Sequence, residues 1–380
     1  MKVVVAIDSL KGSLSSLEAG NAIKESINEV IPGADVEVHP LADGGEGTVE
    51  ALTLGMGGTI ETIPVKGPIG EKVHASYGII SQRQLAIIEM AAAAGITLIA
   101  TEERNPLHTT TYGVGEMIKD AISKGCRHFI IGIGGSATND GGAGMLQALG
   151  YALLDKDNQE ISLGAQGLAD LKSISTDKVI EELKECDFKI ACDVTNPLCG
   201  AQGCSSIFGP QKGADEDMIT KMDTWLSNYA TLATSVSEKA DATIEGTGAA
   251  GGLGFAFLAF TNATLEPGID IILSEINIGK AISEADLVVT GEGRLDGQTV
   301  MGKAPIGVAK LAKKYGKKVV AFSGTVTEDA ILCNQHGIDA FFPIVRRLIS
   351  LDEAMSKEVA YKNMKETATQ VFRLINLYNH

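Results

Sequence analysis

The hydrophobic positions near the N-terminus change from strand spacing to helical spacing and back again. Residues 2–7 form a short apolar run rich in valine, and residues 15–18 read Ser-Ser-Leu-Glu, the pattern of a helix capping box. Apolar residues then recur at helical spacing until Pro32-Gly33. A second strand run at residues 36–38 and a second helix after Gly47 follow. This order predicts repeated strand-helix units.

The C-terminal third of the chain shows the same alternation. Apolar runs at residues 287–290, 318–322 and 340–344 predict three buried strands, and helical spacing predicts helices at residues 303–315 and from about residue 352. Continuous apolar strands that alternate with helices are typical of parallel sheets covered on both faces. Both ends of the chain are therefore predicted to be α/β.

The middle of the chain has a different pattern. Between residues 59 and 90, strand-like segments follow one another without helices and are joined by Gly-Pro turns, which predicts an antiparallel or mixed sheet. The strand-helix pattern resumes near residue 285. We therefore expect one α/β domain built from residues 1–60 and 283–380, with a second α/β domain of mixed sheet, residues 61–282, inserted into it.

The chain length agrees with a division into two domains, and the net charge restricts the possible binding partners. The chain has 380 residues, beyond the ~250–300 at which a single core stops growing. With 32 basic against 48 acidic residues, its net charge is −16, which disfavours binding to nucleic acids or anionic membranes. A local phosphate site made of backbone N–H groups remains compatible with this charge.

The chain has no signal-peptide pattern and no apolar run of membrane-spanning length, so we expect a cytoplasmic protein.

Five predicted strand ends lead directly into glycine together with small polar or charged residues. Taken alone, each loop is explained equally well by an ordinary turn or helix cap. Together they place carboxylates where parallel sheets bind ligands, while glycine keeps the backbone open. The five loops are IDSLKGS (7–13), LADGGEG (41–47), IIGIGGSATNDGGAGML (130–146), CDVTNPLCG (192–200) and TGEGRLDG (290–297).

Carboxylates close to glycine-rich backbone indicate a divalent cation with a phosphate ligand. Mg²⁺ prefers one or two carboxylates together with phosphate oxygens and water. Phosphoryl transfer also needs a cation, for which Lys11 and Arg294 are candidates, and an aspartate that orients or deprotonates the acceptor hydroxyl. The chain contains no G-x-x-x-x-G-K-[ST] sequence, which excludes a P-loop NTPase.

The loop at residues 130–146 also permits a competing interpretation. Gly132-x-Gly134-x-x-Ala137 fits a dinucleotide-binding fingerprint, and Asp155 follows at about the distance of a ribose-binding acid. The alternative is therefore an NAD-dependent dehydrogenase of a hydroxy acid. Against it, the paired glycines at 141–142 would cost about 2 kcal/mol inside a helix. We expect the helix to begin only at residues 140–143, leaving residues 134–139 as an extended loop.

Several long glycine-rich segments resemble the bacterial glycerate kinase type 1 family, colinearly from residue 1 to about 345. The resemblance implies an ATP-dependent kinase that phosphorylates D-glycerate, with Mg²⁺ expected. It also implies two α/β domains, one of them flavodoxin-like, with the active site in the cleft between them. The segments are IDSLKGSLSSLEA, LADGGEGTVEAL, IIGIGGSATNDGGAGMLQALG, CDVTNPLCGAQGCSSIFGPQKGA, GAAGGLGFAFLAF, PGIDIIL and TGEGRLDGQTVMGKAPIGVAKLA.

The resemblance and the loop chemistry together give candidate site residues. The predicted catalytic residues are Asp193, Asp296, Lys11 and Arg294; the predicted substrate- or ATP-binding residues are Asp8, Gly134, Gly135, Ser136, Asn139, Asp140, Lys212 and Glu292; the predicted metal ligands are Asp43 and Asp193. Either Asp296 or Asp193 is expected to accept the hydroxyl proton. The sequence does not distinguish 2- from 3-phosphoglycerate as the product, or a monomer from a homodimer.

Overall fold

Strands and helices alternate along most of the chain in the computed structural model, which describes residues 1–42, 44–45 and 47–377. The strands are β1 (Lys2–Val5), β2 (Asp35–Val38), β3 (Thr59–Lys66), β4 (Lys72–Ile80), β5 (Leu85–Glu89), β6 (His128–Gly132), β7 (Ala152–Leu154), β8 (Ser173–Ser175), β9 (Asp187–Ala191), β10 (Ala263–Glu266), β11 (Leu287–Leu295), β12 (Lys318–Val326) and β13 (Ala340–Pro343).

The helices connect these strands, and several short 3₁₀ turns lie between them. The helices are α1 (Ser16–Val30), α2 (Thr48–Gly55), α3 (Ala91–Ala94), α4 (Tyr112–Ser123), α5 (Ala143–Ala148), α6 (Cys204–Phe208), α7 (Glu216–Ala233), α8 (Ala249–Phe260), α9 (Gly268–Glu275), α10 (Ile278–Glu284), α11 (Ala304–Lys314), α12 (Leu332–Gln335), α13 (Leu351–Met355) and α14 (Lys357–Leu377). None of the helices in the described ranges is long and apolar enough to cross a membrane.

Residue contacts divide the chain into two compact units. The first unit comprises Met1–Asp43, Glu50–Met56 and Ile269–His380, and the second comprises Gly44–Val49 and Gly57–Gly268. Each unit contains its own main sheet.

The first unit contains a five-stranded sheet in the order β13-β12-β11-β1-β2, and every neighbouring pair is parallel. Counted along the chain, this is the flavodoxin-like order 2-1-3-4-5. The strand order reverses direction at β1 and β11, and ligands of such sheets bind beyond the carboxyl ends of the strands at this switch point. The loops after β1 and β11 therefore lie where sheets of this order bind ligands.

Helices α1 and α14 pack together over one face of this sheet. The predicted capping box starts α1, because Glu18 N donates to Ser15 Oγ and Ser15 N donates to Glu18 Oε2. The buried cluster beneath these helices includes Val3, Val5, Ile23, Ile27, Met364, Ala368 and Phe372. Burial of these side chains supplies the hydrophobic stabilisation of this face.

The second unit contains a six-stranded sheet in the order β10-β9-β6-β5-β4-β3. Strands β10, β9, β6 and β5 are parallel neighbours, whereas β5, β4 and β3 pair antiparallel. In its core the rings of Phe129 and Phe188 stack at 4.7 Å between centroids. The predicted α/β fold class, with one parallel and one mixed sheet, is confirmed.

The prediction that residues 290–297 form a loop is wrong over most of this range. Strand β11 continues to Leu295, paired in register with β12 as far as Val326. Gly291 does not break the strand; it permits close pairing, because a Cβ at this position would lie 1.8 Å from the carbonyl oxygen of Phe322. Glu292 and Arg294 are therefore strand residues.

The single helix predicted from about residue 352 is also wrong in detail. The segment forms two helices, α13 and α14, because Ser356 between them has an extended backbone (φ −59°, ψ 128°). The second of these helices supplies the buried face that packs on α1.

Candidate functional site

The loop after β6 is extended, as the sequence predicts. Helix α5 begins only at Ala143, and Gly135 has a positive φ of 72°. One edge of the loop is fixed by backbone bonds from Ile96 N to Gly135 O and from Ala137 N to Ala94 O. Within residues 1–42, 44–45 and 47–377, the N–H groups of Gly134, Gly135 and Ser136 donate to no acceptor. This loop can therefore bind an anion with consecutive backbone donors.

Lys212, from a distant segment of the chain, forms hydrogen bonds with this loop. It ends a 3₁₀ turn (Pro210–Lys212), is only 2% exposed, and donates from Nζ to Ser136 Oγ at 2.8 Å and to Thr138 O at 2.6 Å. No carboxylate of the described chain pairs with it at salt-bridge distance. Desolvation lowers the pKa of Lys212 to about 8, against opposing effects of Cys204 and Asp140. A buried cation whose protein partners are neutral favours an anionic ligand.

These groups line a cavity of about 390 Å³ in the second unit. The carboxylate of Asp193, which is exposed, also lines it, and Asp193 Oδ1 accepts a hydrogen bond from Gly268 N at 3.1 Å. The lining includes Gly134, Gly135, Ser136, Asp193, Gln211 and Lys212, with an apolar wall that includes Ile96, Ile133 and Phe208.

Asn139 and Asp140 are fully buried and do not line this cavity. Asn139 Nδ2 donates to Ser205 Oγ at 2.8 Å, which ties the loop to α6. Asp140 accepts hydrogen bonds from Thr111, Gly142 and Gly144. Burial raises the pKa of Asp140, and these donors oppose the rise. Both side chains therefore bond to residues that support the loop, on the side away from the cavity.

A second cavity, of about 400 Å³, lies in the first unit beyond the ends of β1 and β11. Two buried carboxylates line it: Asp8 Oδ1 accepts from Ser9 N at 2.6 Å, and Glu292 Oε1 accepts from Thr299 Oγ1 at 2.7 Å. Lys11, Arg294 and Lys303 line the same cavity. It therefore combines both charge signs at the topological switch point.

Arg294 and Asp296 form an ion pair at the edge of this second cavity. The distance from Arg294 Nε to Asp296 Oδ2 is 3.4 Å, and the Arg294 side chain is 63% exposed. Asp296 Oδ1 also accepts hydrogen bonds from Gln298 N and Thr299 N. Arg294 therefore presents its charge to solvent, while Asp296 is held in a fixed orientation.

The predicted site residues thus fall into two groups, one in each unit. Asp43 lies outside the described residues, so its predicted metal role stays a prediction. The group in the first unit is Asp8, Lys11, Glu292, Arg294 and Asp296, and the group in the second unit is Gly134, Gly135, Ser136, Asp193 and Lys212.

The sequence interpretation missed other lining residues. Lys303 precedes the Pro-containing start of α11, and its position shortly after the β11 loop is the signal that was available. Phe208 and Gln211 accompany Lys212 within one of the quoted segments. Ala250 also lines the first-described cavity with a left-handed backbone (φ 51°), which a sequence pattern does not reveal.

The dinucleotide interpretation of the β6 loop is wrong on structural grounds. The fingerprint requires a helix directly after the glycines and a parallel strand beyond it. Here α5 starts at Ala143, and the following strand, β7, pairs antiparallel with β8 in a two-stranded sheet that is separate from the main sheet. Asp155 therefore follows a strand outside the main sheet.

Comparison with known proteins agrees with the kinase interpretation. The model of the glycerate kinase family matches residues 3–376. A glycerate kinase of Bacillus subtilis (strain 168) is 46% identical over 377 residues, covering 99% of this chain and 98% of that protein. A glycerate 2-kinase of Escherichia coli (strain K12) is 48% identical over 364 residues, covering 96% of this chain and 95% of that protein.

A solved structure shows the same fold over the whole chain. The crystal structure described as glycerate kinase 2 from Salmonella typhimurium LT2 superposes with a TM-score of 0.92 and 44% identity, covering 100% of this chain and 99% of that one. The family match extends across both units and includes every loop that lines the two cavities. The chain therefore belongs to the glycerate kinase family.

Proposed function

We propose that this kinase transfers the γ-phosphoryl group of ATP to D-glycerate with the help of Mg²⁺. We further propose the 2-hydroxyl as the acceptor, which would give 2-phosphoglycerate. The support for this position is the relative from Escherichia coli, 48% identical, which is named a glycerate 2-kinase.

One observation carries the proposal for the second unit. Lys212 is buried beside three consecutive backbone N–H groups, and the hydrogen-bond acceptors of its Nζ within the described residues are the neutral Ser136 Oγ and Thr138 O. Both substrates are anionic, through a carboxylate or a triphosphate, and either group would supply the missing negative charge. Charge-assisted hydrogen bonds to such a group are about twice as strong as neutral ones.

The donor set of the cavity also fits a magnesium ion. Asp193 offers an exposed carboxylate in the same cavity as Lys212, and Mg²⁺ needs only one or two carboxylates beside phosphate oxygens and water. Among the described residues there is no group of three or more potential metal ligands. Asp193 would hold the ion, and the role of Asp43 as a metal ligand stays a prediction from the sequence. When bound, the ion would neutralise phosphate charge during transfer.

The charged residues of the first unit provide the remaining roles. Lys11, Arg294 and Lys303 offer cations to an anionic substrate or to the charge that develops during transfer. Asp296 is held by backbone donors and can accept the proton of the attacking hydroxyl; Asp193 is the other candidate for this proton.

An assay of ADP release tests the proposed reaction. ADP release by the purified protein should require both D-glycerate and Mg²⁺, and L-glycerate should be a poorer substrate. Reduction of NAD in the presence of glycerate, without ATP, is the matched test of the rejected dehydrogenase alternative. ADP release that does not depend on D-glycerate would contradict the proposal.

The position of phosphorylation needs a separate measurement. ³¹P–¹H correlation NMR of the unfractionated product distinguishes a phosphate on C2 from one on C3 by its coupling to one or two protons. We expect coupling to the single C2 proton. Coupling to two protons would reject the 2-phosphoglycerate proposal and leave the kinase proposal intact.

A further inference from the structure

We propose that Asp140 is a positioning residue of the kinase: it fixes the anion-binding loop and, through that loop, the ammonium group of Lys212. This inference rests on the proposed function. It assigns Asp140 a role behind the cavity in place of the ligand contact that the sequence suggests.

The hydrogen bonds to Asp140 come from the first turns of two helices. Asp140 Oδ2 accepts from Thr111 N (2.8 Å), Thr111 Oγ1 (2.9 Å) and Gly144 N (3.3 Å), and Oδ1 accepts from Gly142 N (3.1 Å). Thr111 and Gly142 are the residues directly before the first residues of α4 and α5. The carboxylate thereby fastens the end of the loop to the positive ends of both helices.

Only a carboxylate satisfies this environment. Three of the four donors bond to Oδ2 and one bonds to Oδ1, so both positions must hold an acceptor atom. An asparagine has a single acceptor oxygen, and its amide nitrogen would face a donor of Gly142 or of Thr111 and Gly144. The substitution therefore breaks at least one of these bonds at a fully buried position.

Thr111 extends the contact from Asp140 into α5. Its hydroxyl donates to Asp140 Oδ2 and accepts a hydrogen bond from Met145 N at 3.0 Å. A serine preserves both bonds, whereas a valine of nearly the same shape removes both. Thr111 thus offers a conservative and a disruptive variant at one position.

The loop transmits this anchoring to the groups that line the cavity. Thr138, two residues before Asp140, supplies the carbonyl oxygen that binds Lys212 Nζ at 2.6 Å, and Ser136 supplies the hydroxyl at 2.8 Å. Displacement of the loop end therefore moves both acceptors of Lys212. The same displacement moves the backbone N–H groups that face the ligand.

The charge of Asp140 has a second effect on Lys212. The ammonium group is bonded to Ser136 and Thr138 of the loop, Cys204 of α6 and Asp140 act on it electrostatically, and Asp193 lines the same cavity. Asp140 favours the charged form of Lys212. Removal of its charge should therefore move the loss of substrate affinity at alkaline pH toward lower pH.

The test compares D140N, T111V and T111S with the wild type in full-length protein. Steady-state kinetics give kcat and the KM values for D-glycerate and MgATP, and thermal unfolding gives Tm. We expect D140N to raise one of the two KM values tenfold or more, T111V to raise the same KM at least threefold, and T111S to remain within twofold of the wild type. The alkaline limb of kcat/KM should shift to lower pH in D140N.

A matched control separates this role from a purely structural one. Thr53 is buried and its hydroxyl has no hydrogen-bond partner in the described part of the chain, so T53V tests the effect of a buried threonine-to-valine change alone. We expect T53V to leave both KM values unchanged. Unchanged KM values and an unchanged alkaline limb in D140N or T111V, with only Tm lowered, would overturn the positioning role. If D140N does not fold, the T111V and T111S pair still decides the outcome.

The experiment also separates this inference from the proposed reaction. If the wild type releases no ADP with D-glycerate, the kinase proposal fails. Binding of inorganic phosphate, measured by calorimetry, then tests the loop directly. Weaker binding by D140N and T111V than by the wild type and T111S would support the positioning role. Equal binding by all variants, or no binding by the wild type, would overturn it.

Discussion

Lys212 and Ser136 are 76 positions apart in the chain, and Lys212 Nζ donates to Ser136 Oγ at 2.8 Å within a buried site. Both partners of the ammonium group, Ser136 Oγ and Thr138 O, are uncharged. A buried charge in such surroundings is costly unless a ligand completes it. This relationship leads to two predictions about affinity and pH.

Replacement of Lys212 by methionine should weaken the binding of one anionic substrate. The lost charge-assisted bond contributes about 1.5–3 kcal/mol, which corresponds to a rise in KM of about 10- to 100-fold. Steady-state kinetics with each substrate in turn measures this change. Lys221, exposed and paired with Asp217, provides the control, because K221M removes a lysine that lines neither of the two cavities described above. Unchanged KM values in K212M would contradict the anion-binding role.

The lowered pKa of Lys212 predicts opposite effects of alkaline pH on affinity and stability. Since the pKa falls from 10.5 to about 8 on folding, the folded state holds fewer protons than the unfolded state between pH 8 and 10.5. The free energy of unfolding should therefore rise with pH in this window, by up to about 3 kcal/mol for this group. Substrate affinity should fall over the same window as the ammonium group loses its charge.

Comparison with K212M isolates these effects from other titrating groups. Urea unfolding at pH 7.5 and 10 gives the change in unfolding free energy, and substrate titrations give the change in affinity. Both pH-dependent differences should be smaller in K212M. An identical pH dependence in the two proteins would show that Lys212 does not titrate in this window.

Local signals predicted much of the fold. The capping box at Ser15 and Glu18 marks the start of α1, and the paired glycines at 141 and 142 delay α5 until Ala143. These features depend on neighbours within a few residues, which sequence patterns record. The loop predicted at Gly291 was wrong, because the role of this glycine depends on the close approach of Phe322 from another strand.

The site was harder to predict because its geometry depends on distant contacts. The composition of the β6 loop indicated an anion site, but the four donors around Asp140 belong partly to Thr111, 29 positions earlier. Whether a polar residue faces a ligand or stabilises the loop behind it depends on such packing. Sequence patterns singled out the loop, but they could not separate these two kinds of residue within it.

Ala250 predicts an unusual response to glycine. Its backbone is left-handed (φ 51°, ψ 41°), and Gly251 and Gly252 after it also have positive φ. An L-residue in this conformation costs about 1–2 kcal/mol, which exceeds the ~0.5–1 kcal/mol entropic penalty of glycine. A250G should therefore keep or raise the free energy of unfolding, as measured by urea denaturation.

The neighbouring alanine supplies the control for this prediction. Ala249 is buried and is not among the residues with positive φ, so A249G should lower stability by about 1 kcal/mol. Ala250 lines the cavity, so the larger side chain in A250V should also raise the KM of a substrate. Equal destabilisation by A250G and A249G would contradict the strain at Ala250.

Asp193 and Asp296 should differ in their dependence on metal. Asp193 lines the cavity with Lys212 and is the proposed metal ligand, whereas Asp296 lines the cavity of the first unit and is a candidate proton acceptor. D193N and D296N should each lower kcat by about 100-fold or more, the range expected for lost acid-base groups. Only D193N should also weaken the binding of Mn²⁺, followed by electron paramagnetic resonance in the presence of ADP.

Asp217 provides the matched control for both changes, since its carboxylate is exposed and pairs with Lys221. D217N should retain wild-type turnover and Mn²⁺ binding. Near wild-type turnover in both D193N and D296N would reject the proposed catalytic roles. Equal loss of Mn²⁺ binding in the two variants would instead reject Asp193 as the metal ligand, because a carboxylate that holds the ion must affect its binding more than one that accepts a proton.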